Sequence, residues 1–300
     1  CTPEMLHGTA NPFVATDQVT LRAAVGTCSG GACTGGCLGE TSDGSCPIFA
    51  KQNGAIGDWD VSAVTAMVGA YPAGGIFQGA TQFNQDLSKW DVSKVTDMRS
   101  MFFGAAVFNQ DLFNWDTGAV KSMQKMFESA YAFNQDLSNW NTGAVTDMSF
   151  MFAYSAAFNQ DLSNWNTRAV TDMSSMFKSA VSFNSELFRH TTSVRTMASM
   201  FMYATAYNQY PQMDTSKVSN MGQMFDGASA FNRDMSKFDI VYASVSANGH
   251  SVDAIFRDSG MTQTLCVNTY NTYHALKYLG TSTARLGCCP PGTFMAQPNL

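Results

Sequence analysis

A Phe-Asn dipeptide recurs through this chain at Phe83, Phe108, Phe133, Phe158 and Phe183, spaced by 25 residues, and the pattern continues at Tyr207 and Phe231 with spacings of 24. The text between is nearly constant: residues 133–152 read FNQDLSNWNTGAVTDMSFMF and residues 158–177 read FNQDLSNWNTRAVTDMSSMF. Such a period marks a reused building block, because a unit this short cannot enclose a core and must bury its apolar side chains against neighbouring copies. A degenerate first copy, GDWDVSAVTAM, precedes these and is followed by the insertion VGAYPAGG and then by Ile76-Phe77. Keyed on one position, eight copies run through Trp59, Trp90, Trp115, Trp140, Trp165, His190, Met213 and Phe238, with a weaker ninth at TLCVNTY.

Within a copy, the pattern L-x-x-W-[DN]-[VT]-x-x-V, as in Leu87, Trp90, Val92 and Val95, resembles the strand segment of a leucine-rich repeat. The stretch Thr96–Phe102 has a hydroxyl at a helix N-cap position, an acid in the first turn and apolar residues at i, i+3 and i+4, which predicts a short helix with one buried face. Small residues after it, such as Gly104-Ala105, suit a turn back to the next Phe-Asn. The fold class expected is therefore an α/β solenoid, a leucine-rich-repeat-like right-handed coil of about eight strand-turn-helix copies. Columns of Trp, Leu, Met and Phe would form its core, which accounts for the 19 methionines and 22 phenylalanines without a ligand.

With 45% hydrophobic residues, 300 residues are enough to bury a large core. Charged residues are only 13% and the formal net charge is −6, which disfavours nucleic acid or an anionic membrane as partner. No apolar run of membrane-spanning length and no leader is visible; the chain opens at Cys1, as a processed or excised piece would. The eight cysteines fall outside the repeats: Cys1, Cys28, Cys33, Cys37 and Cys46 before them, Cys266, Cys288 and Cys289 after them. An even number confined to the two ends fits disulfide-bonded caps in an oxidising, extracellular or cell-surface setting, with the pairing left open. Zinc is the competing reading, but the spacings of Cys28, Cys33, Cys37 and Cys46 do not form paired C-x-x-C knuckles and no His lies among them. The organisation expected is a cysteine-rich cap over 1–53, repeats over 54–262, and a cysteine cap with the start of a stalk over 263–300.

Several columns are candidates for function. Asn84, Asn109, Asn134, Asn159, Asn184, Asn208 and Asn232 are expected to form a buried asparagine ladder that satisfies turn backbone. Asp86, Asp111, Asp136, Asp161 and Asp234, with Glu186 in one copy, would either cap backbone N–H groups or share a cation; capping needs fewer oxygen ligands. The solvent face of the expected strand carries Lys89, Asn114, Asn139, Asn164 and Arg189 in one column and Asp91, Asp116, Asn141, Asn166 and Asp214 in the next. This amide-rich strip is the candidate binding face, for glycan hydroxyls or a partner's backbone, with Phe113 and Phe188 expected as its aromatic neighbours. A threonine column, Thr117, Thr142, Thr167 and Thr192, would lie beside it, too thin an array for ice. The four histidines are His7, His190, His250 and His274; His190 is expected as a substitute in the tryptophan column. No nucleophile–base constellation or phosphate-binding fingerprint is present, so neither catalysis, a cofactor nor a metal is expected.

FNQDLSKWDVSKVTDMRSMF and its copies resemble the 25-residue repeats of BspA-like, Mycoplasma-lipoprotein-type surface proteins, a leucine-rich-repeat-like family of bacteria, algae and other protists. The likeness covers about residues 54–258. The lead-in FVATDQVTLRAAV…GAIGDWDVSAVTAM is similar to that of protist members, although the cysteine-rich insert at 28–46 departs from it, and CCPPGTF resembles the start of extracellular stalk modules. The resemblance implies extracellular display, adhesion or matrix building, with self-association, other cell-surface proteins or glycans as partners, and no catalytic residues.

Overall fold

The structure is a computed structural model that describes residues 13–29, 32–34, 55–68, 74–233, 235, 254–262, 264–266 and 285–287. Its centre is a stack of copies held in parallel register. Isolated parallel bridges join Ala66 to Asp97, Asp97 to Ser122, Ser122 to Asp147, Asp147 to Asp172, Asp172 to Thr196 and Thr196 to Asn220. Each copy thus lies directly on the next.

The copies pair where a helix was expected. Along Met98–Gly104 alternate backbone N–H groups point out of the copy: Met98 donates to Ser122 O, Ser100 to Gln124 O, Phe102 to Met126 O and Gly104 to Glu128 O, at 2.8–3.0 Å. The intervening groups turn inward, Met101 to Met98 O, Phe103 to Ser100 O and Ala105 to Phe102 O. An α-helix would spend the donors beyond its first turn on its own fourth-preceding carbonyls. Two residues per copy break that option by taking positive φ: Ser100 and Gly104, then Lys125 and Ser129, Phe150 and Tyr154, Ser175 and Ser179, Ser199 and Tyr203. Left-handed backbone costs a non-glycine residue roughly 1–2 kcal/mol. It persists because each such residue donates to the next copy, Phe150 to Ser174 O at 2.9 Å and Tyr154 to Lys178 O at 2.7 Å. The Met-x-x-Met-Phe spacing does bury one face, but on a chain of tight turns. Likewise the Leu-x-x-Trp stretch is a pair of turns, Trp90 N–H to Leu87 O and Val95 N–H to Val92 O, with no bridge between copies there.

Ring columns fill the interior. Phe102, Phe127, Phe152, Phe177, Phe201 and Phe225 stack at centroid separations of 5.4–5.7 Å. Phe108, Phe133, Phe158, Phe183, Tyr207 and Phe231 form a second column at 5.9–6.2 Å, and the columns meet at about 4 Å, as between Phe127 and Phe133. Trp115, Trp140 and Trp165 make a third, with planes within 5° of parallel. Offset stacking of this kind contributes about 0.5–1.5 kcal/mol per pair beyond burial. Each indole N–H also has a buried acceptor: Trp115 Nε1 donates to Leu87 O, Trp140 Nε1 to Leu112 O and Trp165 Nε1 to Leu137 O, at 2.9–3.0 Å.

The first copy is covered by the N-terminal segment. Helix α1, Gln18–Val25, starts at an Asp17 cap that accepts from the Thr20 N–H and ends at Gly26, whose φ of 89° suits glycine. Val14 forms a parallel bridge with Asp60, Phe13 packs on Trp59 at 4.9 Å, and the Arg22 guanidinium donates to the Gly75 carbonyl. These contacts occupy backbone groups that an open edge would leave unpaired. After α1 come β1, Thr27–Ser29, and β2, Ala32–Thr34, an antiparallel pair; β3, Thr264–Cys266, and β4, Arg285–Gly287, pair in parallel beyond the repeats. Among the described residues no helix is long and apolar enough to cross a membrane.

Candidate functional site

The asparagines line up, with their amides at the surface instead of in the core. The Asn84 Oδ1 accepts from the Asn109 N–H, Asn109 from Asn134, Asn134 from Asn159, Asn159 from Asn184, Asn184 from Asn208 and Asn208 from Asn232, at 2.7–3.0 Å. Asn84 and Asn159 are exposed and the others half-buried. Gln110, Gln135 and Gln160 reinforce the column by donating back to the preceding asparagine. The ladder therefore splices one copy to the next through side chain and backbone.

The exposed carboxylates close local turns. Asp86 accepts from the Ser88 N–H, Asp111 from Phe113, Asp136 from Ser138 and Asp161 from Ser163, all at 2.8 Å. The N–H donated by Ser88 holds the Asp86 carboxyl below the usual carboxylate range. Asp91, Asp116, Asn141 and Asn166 do the same for the residues two positions on, and Asp and Asn are interchangeable there because only an acceptor oxygen is required. No group of three or more metal-ligating side chains occurs among the described residues.

Three expectations about the polar strip need correcting. Thr117, Thr142 and Thr167 are buried, not presented to solvent: their hydroxyls donate to Asn141 O, Asn166 O and His190 O of the next copy. The column continues at Thr191, which is buried and donates to Asp214 O, while Thr192 is exposed. His190 consequently occupies the position of Asn166, exposed and 3.3 Å from an Arg168 nitrogen, and is no member of the tryptophan column. Phe188, considered as a surface platform, is wholly buried. What remains exposed is Lys89, Asn114, Asn139 and Asn164 with Asp91, Asp116, Asn141 and Asn166 beside them. Lys89 pairs with Asp58 at 2.6 Å and the Asn139 amide donates to Phe113 O. Of the cysteines, Cys28, Cys33 and Cys266 have described backbone; Cys1, Cys37, Cys46, Cys288 and Cys289 lie outside the described residues, as does Asp234.

A second surface was missed by sequence reasoning. Five successive copies each expose one large apolar side chain: Val107, Tyr131, Tyr154, Val181 and Tyr203, at 38, 54, 37, 42 and 45% of full accessibility. Tyr154 and Tyr203 share the second positive-φ column, Tyr131 and Val181 sit two residues beyond the equivalent position, and Val107 sits three beyond it. Lysines flank this stripe. Lys178 lies 5.9 Å from the Tyr154 ring, and Lys125 lies 5.1 Å from Phe150 and 3.4 Å from the Glu128 carboxylate, whose pKa burial pushes up. At the far end Arg257 forms a two-pronged pair with buried Asp226. The signal was visible in the aligned copies, since tyrosine or valine stands at positions where most other copies have Gly, Ala, Ser or Thr. Assigning that stretch to a helix and turn hid the fact that these positions face outward.

Parallel copies of 24–25 residues, tied side by side and exposing columnar surfaces, define a tandem-repeat protein. The chain belongs to the family described as Mycoplasma protein of unknown function, DUF285, whose profile matches residues 46–143, 114–210 and 188–259. The matches overlap because one copy aligns as well as the next. No curated protein and no solved structure matches the chain.

Proposed function

We propose that the chain is a non-enzymatic extracellular structural or adhesive repeat protein, a subunit of a cell-surface coat or filament, built as a continuous solenoid with disulfide-bonded caps. The observation that carries this reading is the stripe from Val107 to Tyr203. Large apolar side chains left exposed in five successive copies suit a surface that meets a partner, and tyrosine is enriched at the centres of interfaces because it buries area at little entropic cost. Repetition adds avidity, since each copy offers a similar weak contact at a spacing of about 4.8 Å. The likeness to BspA-like surface proteins of protists supports the same reading, as does the confinement of cysteines to the chain's two ends. Self-association, other surface proteins and glycans are the partners that fit.

The alternative is recognition of glycan or protein by the amide strip of Asn114, Asn139, Asn141, Asn164 and Asn166, favoured by its exposure. Sedimentation velocity over a concentration series in oxidising buffer, together with a glycan array, separates the two. Wild-type protein should self-associate or capture a glycan, and the Tyr131→Ser/Tyr154→Ser/Tyr203→Ser variant should lose that activity while keeping its unfolding midpoint. Loss in Asn114→Ala/Asn139→Ala/Asn164→Ala instead would transfer the role to the amide strip. A wild-type chain that stays monomeric and captures nothing sinks both.

A further inference from the structure

We propose that Cys28 and Cys33 are disulfide partners, closing a local hairpin at the exit of the N-terminal cap. The register of β1 and β2 sets Thr27 opposite Thr34, Cys28 opposite Cys33 and Ser29 opposite Ala32. Between the strands the sequence supplies Gly30-Gly31, the residue type that two-residue hairpin connections demand. In a hairpin of that length the pair flanking the turn is the hydrogen-bonded one. By the alternation of antiparallel ladders, Cys28 and Cys33 are then a non-hydrogen-bonded pair, with Cα atoms about 4.5 Å apart. That lies inside the window of roughly 4.4–6.8 Å that a disulfide requires. Eight cysteines alone allow 105 pairings when all are joined. The register singles out one bond and leaves Cys1, Cys37, Cys46, Cys266, Cys288 and Cys289 to pair among themselves.

Its place in the fold gives the bond a purpose. β1 follows α1 through Gly26 alone, and α1 is anchored to the first copies by Arg22 and by buried Leu21, Ala24 and Val25. Two strands of three residues are marginal in water without further support. A cross-link between them would hold the two strands together directly after α1. The chemistry is thiol–disulfide exchange: one cysteine thiolate attacks a disulfide donor such as oxidised glutathione, and the other displaces glutathione from the mixed disulfide. Two thiols give up two protons and two electrons, and the donor becomes two glutathione thiols.

The test counts free thiols by alkylation of the full chain after equilibration with a glutathione redox buffer. Cys28→Ser and Cys33→Ser should each expose one more free thiol than wild type, and Cys28→Ser/Cys33→Ser should expose none. Two extra thiols in the double variant would overturn the pairing. Electron-transfer fragmentation of the unreduced wild-type peptide 23–51 gives an answer independent of variant folding: fragments intact between 28 and 33 support the bond, and a link from either residue to Cys37 or Cys46 refutes it. The inference rests on the extracellular reading only for the oxidant met in life. Protein that is reduced when isolated from its source, yet forms this bond in glutathione, would count against the location while upholding the pairing.

Discussion

The copy that begins at Phe158 and the two that begin at Phe183 and Tyr207 differ by one residue, and the loss falls in the same place both times. From Phe158 to the buried Thr167 is nine residues, but from Phe183 to Thr191 and from Tyr207 to Thr215 it is eight. The steps onward, six from threonine to methionine and ten from methionine to the next ring, are identical in all three. The half that keeps its length is the one whose alternate N–H groups are committed to the next copy, so removing a residue there would turn every later donor to the wrong side. The shortened half is spliced mostly by side chains, the Asn Oδ1, the Trp Nε1 and the Thr Oγ1, with the Leu162 N–H to Glu186 O bond beside them, and side-chain bonds can be rearranged. Its tryptophan is the casualty. Phe188 fills the core in one copy and Pro211 is buried in the other.

This contrast can be broken most severely by deletion. Removing Ser174 from the backbone-tied half should cost more than about 4 kcal/mol or abolish cooperative unfolding, whereas removing Asn164 should be markedly milder; equal losses in denaturant melts would refute the division. Next, Trp140→Ala should cost about 3–5 kcal/mol in urea unfolding, because it empties a space between Trp115 and Trp165 and leaves Leu112 O unpaired. Thr142→Val keeps the shape but strands the Asn166 carbonyl, with an expected loss of about 1–3 kcal/mol.

Tyr207→Phe should go the other way. Tyr207 stands in a phenylalanine column with its hydroxyl buried and unpartnered, and burial raises its pKa far above the ordinary range. Removing that oxygen should stabilise the chain by about 1–2 kcal/mol, read as a higher denaturation midpoint; a loss would mean that the hydroxyl has a partner in solution. The smallest effect is expected from Asn139→Ala, within about 0.5 kcal/mol, since the side chain is exposed and its one bond goes to a surface carbonyl.

The period, the identity of the buried columns and the asparagine column were legible in the sequence, because apolar side chains that recur at fixed spacing must be buried on their neighbours whatever the backbone does. Leu112, Trp115, Met123, Met126 and Phe127 are all buried as their pattern requires. The backbone that delivers them was not legible. A spacing of i, i+3, i+4 fits a helix and also fits a chain of tight turns, and local propensity cannot choose between them when the deciding hydrogen bonds run to another copy 25 residues away. That choice decided which columns face water. It took Thr142 into the interior, put His190 outside, and brought Tyr131, Tyr154 and Tyr203 onto one surface. Composition and period thus determined what this protein buries, while the tertiary hydrogen bonds, formed only between stacked copies, decided what it shows.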